Sequence, residues 1–370
     1  MIRSMQLGTS AKDQVLAATA LCGELSPLAA SRLVPSLSYR YHVLEDLLKA
    51  KLLRPYRRDK VKGYRLTRRA KDQLAEQGPD RYAALFCGCV RTNSYASELP
   101  RRLRMHRLGE IIAMMMLCGV RVFHDEKADL FGTHTLPRDS QLPAFYPARE
   151  VQAIGDAAIK IKNARMAGVL LAPKQFYLVY NTGDTLMRWA PASELRARTL
   201  LSEFLGRHTG VAGYAGQTAA AILVGDSMEL APVLLQSRGG GRRQLFYLDG
   251  TFAQMYYLPD TPQGDAILHL LLEPERQSAL YAAIQSTLQP KAPQGNFAYD
   301  AQDEQGRPVL FAWDFDLVRI QSFALGLGSR ALTGTAIAFD FQADALRQIF
   351  GDRVAVRSLS FERTRRLLGI

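Results

Sequence analysis

The chain has 370 residues, 48% of them apolar, and a formal net charge of +12 from 47 Lys and Arg against 35 Asp and Glu. That length exceeds one ordinary domain, and its apolar content can fill a sizeable core. No apolar run approaches the ~20 residues of a membrane span. Lys12, Asp13 and Gln14 interrupt the N-terminus too early for a secretory signal, so the expected compartment is the cytoplasm. The charge is lopsided: Met1 to Glu110 carries 21 Lys or Arg against 10 Asp or Glu, and the remaining 260 residues are close to neutral.

In chain order, helices are expected over Ala11–Cys22 and Pro27–Val34. Ser26 and Pro27 form an N-cap and N1 pair, and Pro35 ends the second helix. Ser36 caps a third, in which Leu44, Leu47 and Leu48 share one face with Tyr41 at its edge. Ser38, Tyr39, Arg40 and His42 fall mainly on the other faces. Two short strands follow, around Leu52–Tyr56 and Gly63–Leu66, separated by the basic stretch RRDKVK. Thr67 then caps a helix running through Leu74.

This order resembles a winged helix-turn-helix. Tyr64-Arg65-Leu66-Thr67, with Leu74 seven residues on, is similar to the Y-x-L-T…L signature closing many such domains, with Ala70 where they usually carry Gly. The resemblance implies one helix for the major groove and one wing for phosphates. Tyr39, Arg40 and His42 are the expected groove residues. Arg57, Arg58, Lys60 and Lys62 form the wing, with Arg65, Arg68 and Arg69 beside it.

Gly78-Pro79-Asp80 marks a boundary, giving a first domain over 1–78 and a basic helical connector over 79–119. Arg101, Arg102, Arg104 and Arg107 in that connector can brace the first domain, extend a DNA surface or hold a dimer partner. The apolar stretch Ile111–Val120 reads as a buried helix, its Met run as core packing rather than an oligomer seam. Cys87 and Cys89 lack the second pair of a zinc site, so the four cysteines are expected as reduced thiols. His124 and His134 around Asp125, Glu126 and Asp129 match no metal-ligand spacing and read as a loop of solvated charges.

From Val120 to the end an α/β domain is expected. Strands are read at Val120–His124, Gly168–Leu171, Gln175–Tyr180, Leu186–Trp189, Ala220–Val224, Gln244–Leu248, Met255–Leu258, Ile267–Leu272, Val309–Trp313 and Thr335–Phe339. Helices are read at Glu194–Leu205, Glu275–Leu288 and Ala343–Phe350. Gly239 to Arg243 is a basic loop without a phosphate-binding signature, Asn296 to Arg307 a surface loop, and the C-terminus a basic tail.

The helix over Arg104–Gly119, the stretches RMAGVLLAPKQFYLVYNTGDTLMRW and SELRARTLL, and the preceding winged helix together resemble the replication-relaxation family of plasmids and integrative conjugative elements. That resemblance covers about the first two thirds of the chain. It implies an α+β protein in which a winged helix joins a larger α/β domain over 120–370, shaped like a degenerate restriction endonuclease. The implied function is a DNA-binding accessory role in replication or mobilisation, with double-stranded DNA, a relaxase or replication protein, and a second copy of the chain as partners.

Nucleases of that shape need a carboxylate on one strand and E-x-K or D-x-K on the next. Asp156 can supply the first, but Phe176–Tyr180 contains neither acid nor lysine, and Asp184 and Arg188 have the wrong spacing. Asp314 and Asp316 read as the solvated face of an edge strand, and Tyr256-Tyr257 as packing residues or DNA contacts. No hydrolase or zinc-protease motif is present, so no catalytic residue, metal or cofactor is expected. The rival readings are a ligand-sensing transcription regulator, a metal-dependent nuclease with a non-standard site, and a protein-binding winged helix.

Overall fold

Ser10 accepts a hydrogen bond from the Asp13 amide while Asp13 accepts one from the Ser10 amide, and this capping box starts helix α1 (Ala11–Cys22). Ser26 and Ser36 cap α2 (Pro27–Leu33) and α3 (Leu37–Lys49) by accepting from the Ala29 and Tyr39 amides, as their sequence positions predict. A hairpin of β1 (Leu53–Arg58) and β2 (Val61–Leu66) follows. Thr67 caps α4 (Arg68–Gln77), and α5 (Pro79–Phe86) and the long α6 (Leu99–Leu117) complete the helical part. The computed structural model describes residues 10–86, 98–132, 137–151, 153–154, 159–160, 164–209, 214, 219–239, 244–290 and 298–369. The cysteine pair Cys87/Cys89, His134 and Asp156 lie outside them.

The chain divides into two units, Met1–Val151 with Ala167–Pro173, and Gln152–Met166 with Lys174–Ile370. The boundaries expected at 78 and 119 both fall inside the first. Both units mix helix and strand, so the molecule is α+β.

In the first unit every side chain from Val15 to Cys22 is buried, because α2, α3, α5, α6 and β2 all pack on α1. A helix enclosed on all sides needs no amphipathic stripe. Ile111 to Met116 of α6 are buried in succession, so the methionine run is core. Gly109 permits the approach of α6 to α1: a Cβ there would stand 3.3 Å from the Cys22 Sγ. Leu25, between α1 and α2, exchanges two 2.9 Å backbone hydrogen bonds with Tyr64 and so adds an isolated third rung to the hairpin. Farther on, β3 (Ala144–Pro147) pairs antiparallel with a strand over Gly168–Leu171. Val120–His124 contributes only a bridge at Arg121 and a short 3-10 turn, in place of the strand expected there. Arg81 pairs with Asp125 and Glu126 at 2.9 and 2.6 Å, while His124 and Asp125 stay exposed in this charged turn.

The second unit opens with a two-residue pair, β4 (Ala153–Ile154) and β5 (Ile159–Lys160). The Gly168–Leu171 strand of the first unit is β6. In the second unit β7 (Phe176–Gly183), β8 (Ala220–Gly225) and β9 (Met255–Pro259) run parallel in sequence order. Helices α7 (Pro191–Thr209) and α8 (Leu230–Gln236) supply the crossovers that parallel strands require. After α9 (Pro262–Leu272) and α10 (Pro274–Gln285) comes a second sheet. In it β10 (Gln289–Pro290), β11 (Ala301–Gln302) and β12 (Pro308–Phe311) are antiparallel neighbours. Then β13 (Gly334–Phe339) and β14 (Val354–Leu359) continue parallel to β12 through α11 (Leu317–Arg330) and α12 (Ala343–Phe350). The short α13 (Phe361–Leu368) ends the chain, where only a basic tail was expected.

Ile267–Leu272, expected as a strand, is the last half of α9. Thr261 accepts from the Gly264 amide and Pro262 starts the helix, while burial of nearly every side chain hides the helical period. Leu186–Trp189 and Gln244–Leu248 form only the bridge Arg188–Leu245. Tyr256 and Tyr257 are buried and pack on Tyr177 and Phe315, so they are packing residues. Among the described residues no helix is long and apolar enough to cross a membrane.

Candidate nucleic-acid interface

The β1–β2 ladder pairs without interruption from Leu53↔Leu66 to Arg58↔Val61. Both strands therefore run on to a two-residue turn, Asp59-Lys60, rather than stopping at Tyr56 and Gly63. Both turn residues have positive φ, 53° and 61°, the type I′ arrangement whose twist matches that of the flanking strands. Asp and Lys adopt it less readily than Asn-Gly. The tip is cationic and exposed: Arg57, Arg58, Lys60 and Lys62 all face solvent, and Arg57 stands directly opposite Lys62. Like charges in that register repel.

Nearer its base β2 is buried on both faces, while Arg54 and Pro55 of β1 are exposed. Leu53 and Leu66 cover one. On the other, Arg65 is only 2% exposed and pairs with the fully buried Glu24 at 2.6 Å. Arg65 was expected beside the wing as a phosphate contact, and its burial corrects that assignment. The same carboxylate receives Arg102 at 2.7 Å and His106 at 2.8 Å, both from α6. Burial alone would raise the Glu24 carboxyl, but hydrogen bonds from His106, Arg102 and Arg65 outweigh it and hold the group down at about 2. The Tyr56 ring lies between the guanidinium groups of Arg65, 3.6 Å away, and Arg102, 4.6 Å away. Gly63 leaves room for this cluster, since a Cβ there would fall 2.3 Å from the Glu24 Oε1.

On α3, Val43 and Leu47 are the buried residues and Leu44 and Leu48 are half-buried. Ser38, Tyr39, Tyr41 and His42 are exposed, as is Leu37 at 74%. Arg40, expected in the groove, donates from Nη1 to the Val34 carbonyl at 3.0 Å and so holds the turn between α2 and α3. The acids of this helix are paired, Asp46 with Lys12 and Glu45 with Lys49, each at 2.8 Å. Arg68 and Arg69 are exposed in the first turn of α4, where the helix dipole disfavours cations. The sequence reading missed Glu24 and gave His106 no role; of the three roles left open for Arg102, its bonds to Glu24 and the hairpin fit bracing of the first domain. A single acid between Gly23 and Leu25 carries no local sign that two arginines and a histidine converge on it.

In the second unit Asp314 and Asp316 are not on the solvated face of an edge strand. Both are buried in the turn between β12 and α11, where Asp316 caps the helix and accepts from the Met255 and Val318 amides. Arg319 pairs with Asp314 and Asp300. Burial drives the Asp314 and Asp316 carboxyls upward. Strand β7 is buried throughout and contains no acid or lysine. Among the described residues no group of three or more His, Cys, Asp or Glu is placed to hold a metal ion. A cleft of about 640 Å³ opens at the C-terminal ends of α11 and α12, floored by Leu327, Ile349 and Phe350 and bordered by Asp352 and Arg353.

No family model, curated protein or solved structure matches the chain.

Proposed function

We propose that the first unit contains a winged helix that binds double-stranded DNA, with the β1–β2 hairpin as its wing and α3 as the helix offered to the major groove. One observation carries the reading: four cations against the single acid Asp59, which pairs with Arg58 at 3.6 Å, crowd an exposed tip, and Arg57 and Lys62 are directly opposed across the ladder. Their repulsion costs folding energy that an adjacent polyanion relieves, and phosphate neutralised by them releases counterions. Arg68 and Arg69 add cations at a second unfavourable place. The solvent side of α3 offers the Ser38 hydroxyl, the His42 imidazole and the Tyr39 and Tyr41 rings to base edges and thymine methyls. Service to plasmid or conjugative-element replication or mobilisation, beside a relaxase or replication protein, rests on the sequence resemblance, with the second unit docking or dimerising.

Replacing Arg57, Arg58, Lys60 and Lys62 by Ala tests the reading. The expected result is weaker binding to every duplex sequence, with the salt slope reduced by roughly 0.9 for each phosphate no longer neutralised. An unchanged slope would remove the hairpin from the interface.

The cleft beside α11 and α12 supports a second reading, a DNA-binding regulator that senses a small molecule, because its volume suits one. Ala324→Trp, on the half-exposed side of α11, would then fill the cleft and abolish a ligand's effect on DNA binding without altering binding by the free protein.

A further inference from the structure

We propose that Arg102 is the positioning residue of the wing, holding the hairpin tip by its backbone so that the tip's cationic side chains stay on the solvent side, open to phosphate. The inference rests on the DNA-binding reading and assigns α6, outside the helix–hairpin segment, a part in it.

Arg102 is fully buried, yet three of its contacts are main-chain carbonyls of the hairpin. Its Nη1 donates to the Arg58 carbonyl at 2.7 Å and its Nη2 to that of Val61 at 3.0 Å, the Tyr56 carbonyl at 3.4 Å sharing one of the two Nη2 protons. Arg58 and Val61 are the residues on either side of the Asp59-Lys60 turn, so one guanidinium grips both arms of the tip. Its other edge is fixed by Glu24, with Nε at 3.1 Å and Nη2 at 2.7 Å from Oε1. Glu24 is in turn fastened to the base of β2 through Arg65 and to the next turn of α6 through His106. Two arginines share one carboxylate here. The surplus positive charge is met by the three carbonyls and the face of Tyr56.

This arrangement suits a cationic tip. A lone two-stranded hairpin is marginal in water, and mutual repulsion of Arg57, Arg58, Lys60 and Lys62 weakens this one further. Anchoring through side chains of the tip would occupy the groups needed for DNA. Anchoring through carbonyls leaves them exposed, only Arg58 being ion-paired, with the equally exposed Asp59 at 3.6 Å, and removes an ordering cost from binding. Only a planar fork reaches these acceptors together; an ammonium cannot.

The test is Arg102→Gln and Arg102→Lys in the full chain. Glu24 keeps Arg65 and His106 in both, so its charge stays compensated. Three quantities are measured: amide exchange across residues 56–62, affinity for a short random-sequence duplex, and the salt slope of that affinity. The expected result is faster exchange at the tip in both variants and binding weaker by about tenfold, as when one or two residues must be reordered on binding. The salt slope stays unchanged, because Arg102 itself touches no phosphate. Native exchange rates in Arg102→Gln, or native behaviour of Arg102→Lys, would overturn the proposal, and a reduced slope would make Arg102 a phosphate contact instead. If the native chain bound no duplex, the DNA reading would fall and this role with it. Binding by the native chain with no effect of either variant would remove the role alone.

Discussion

Glu24 is the residue on which the first unit closes, because its single carboxylate satisfies cations from β2 and from α6. Removing it leaves Arg65 and Arg102 buried together without a counter-charge. Glu24→Ala is therefore expected to cost on the order of 3–5 kcal/mol, read as a lowered urea midpoint of the first unit. A loss below ~1 kcal/mol, the ordinary value for an exposed pair, would show that the cluster is hydrated. Gly63 depends on the same carboxylate. A methyl group there meets the Glu24 carboxylate at 2.3 Å and His106 at 2.7 Å, neither of which can withdraw without breaking a hydrogen bond. Gly63→Ala should thus destabilise the unit, although Ala suits a strand better than Gly. At this scale the sequence was least informative. Arg65 sits in a run of exposed cations and looks like one of them; its burial depends on an acid forty-one positions away.

At the scale of elements, what is decided locally was legible. Ser26, Ser36 and Thr67 each cap the helix that their spacing predicts, because the cap and the amide it satisfies are three residues apart. The hairpin was legible as two strands around a basic turn, but not its length, since cations at Arg57, Arg58 and Lys62 obscure the alternation that marks a strand. Elements of the second unit were harder to read: α9 hides its period in all-round burial, and α11 begins from a buried turn whose acids resembled a strand's polar face. The hairpin supports a further prediction. Asp59→Asn with Lys60→Gly installs the residues preferred at two positive-φ positions and should stabilise the unit by about 0.5–1 kcal/mol. The pair leaves the tip's net charge unchanged, so Lys60→Gly alone is the change that should weaken DNA binding if the tip touches phosphate. Lys60→Gly binding as tightly as the native chain would place Lys60 outside the interface.

Across the whole molecule the two units differ in charge and in their response to pH. Glu24 is held at about 2, below the ordinary glutamate value of 4.5, so its contribution is complete above 4.5 and is lost as pH falls through 2. In the second unit burial pushes Glu194 up to about 7, with Asp314 raised as well. The sign there is opposite: an acid more easily protonated when folded costs stability progressively as pH rises from the ordinary carboxylate range to about 7. Lowering pH from 7 to 5 should accordingly protect the second unit against amide exchange and leave the Glu24 cluster intact. Glu194→Gln should flatten that response. The basic excess of the first 110 residues, visible in composition alone, is the global feature that the exposed hairpin tip turns into a local one.

The most direct test of DNA binding is titration of a short random-sequence duplex with the intact chain by fluorescence anisotropy, repeated across a salt series. Four hairpin cations neutralising phosphate predict tight binding at low salt and an affinity falling with a log–log slope of roughly −4. No binding at low salt, or an affinity indifferent to salt, would contradict the account and leave the cationic hairpin without a nucleic-acid partner.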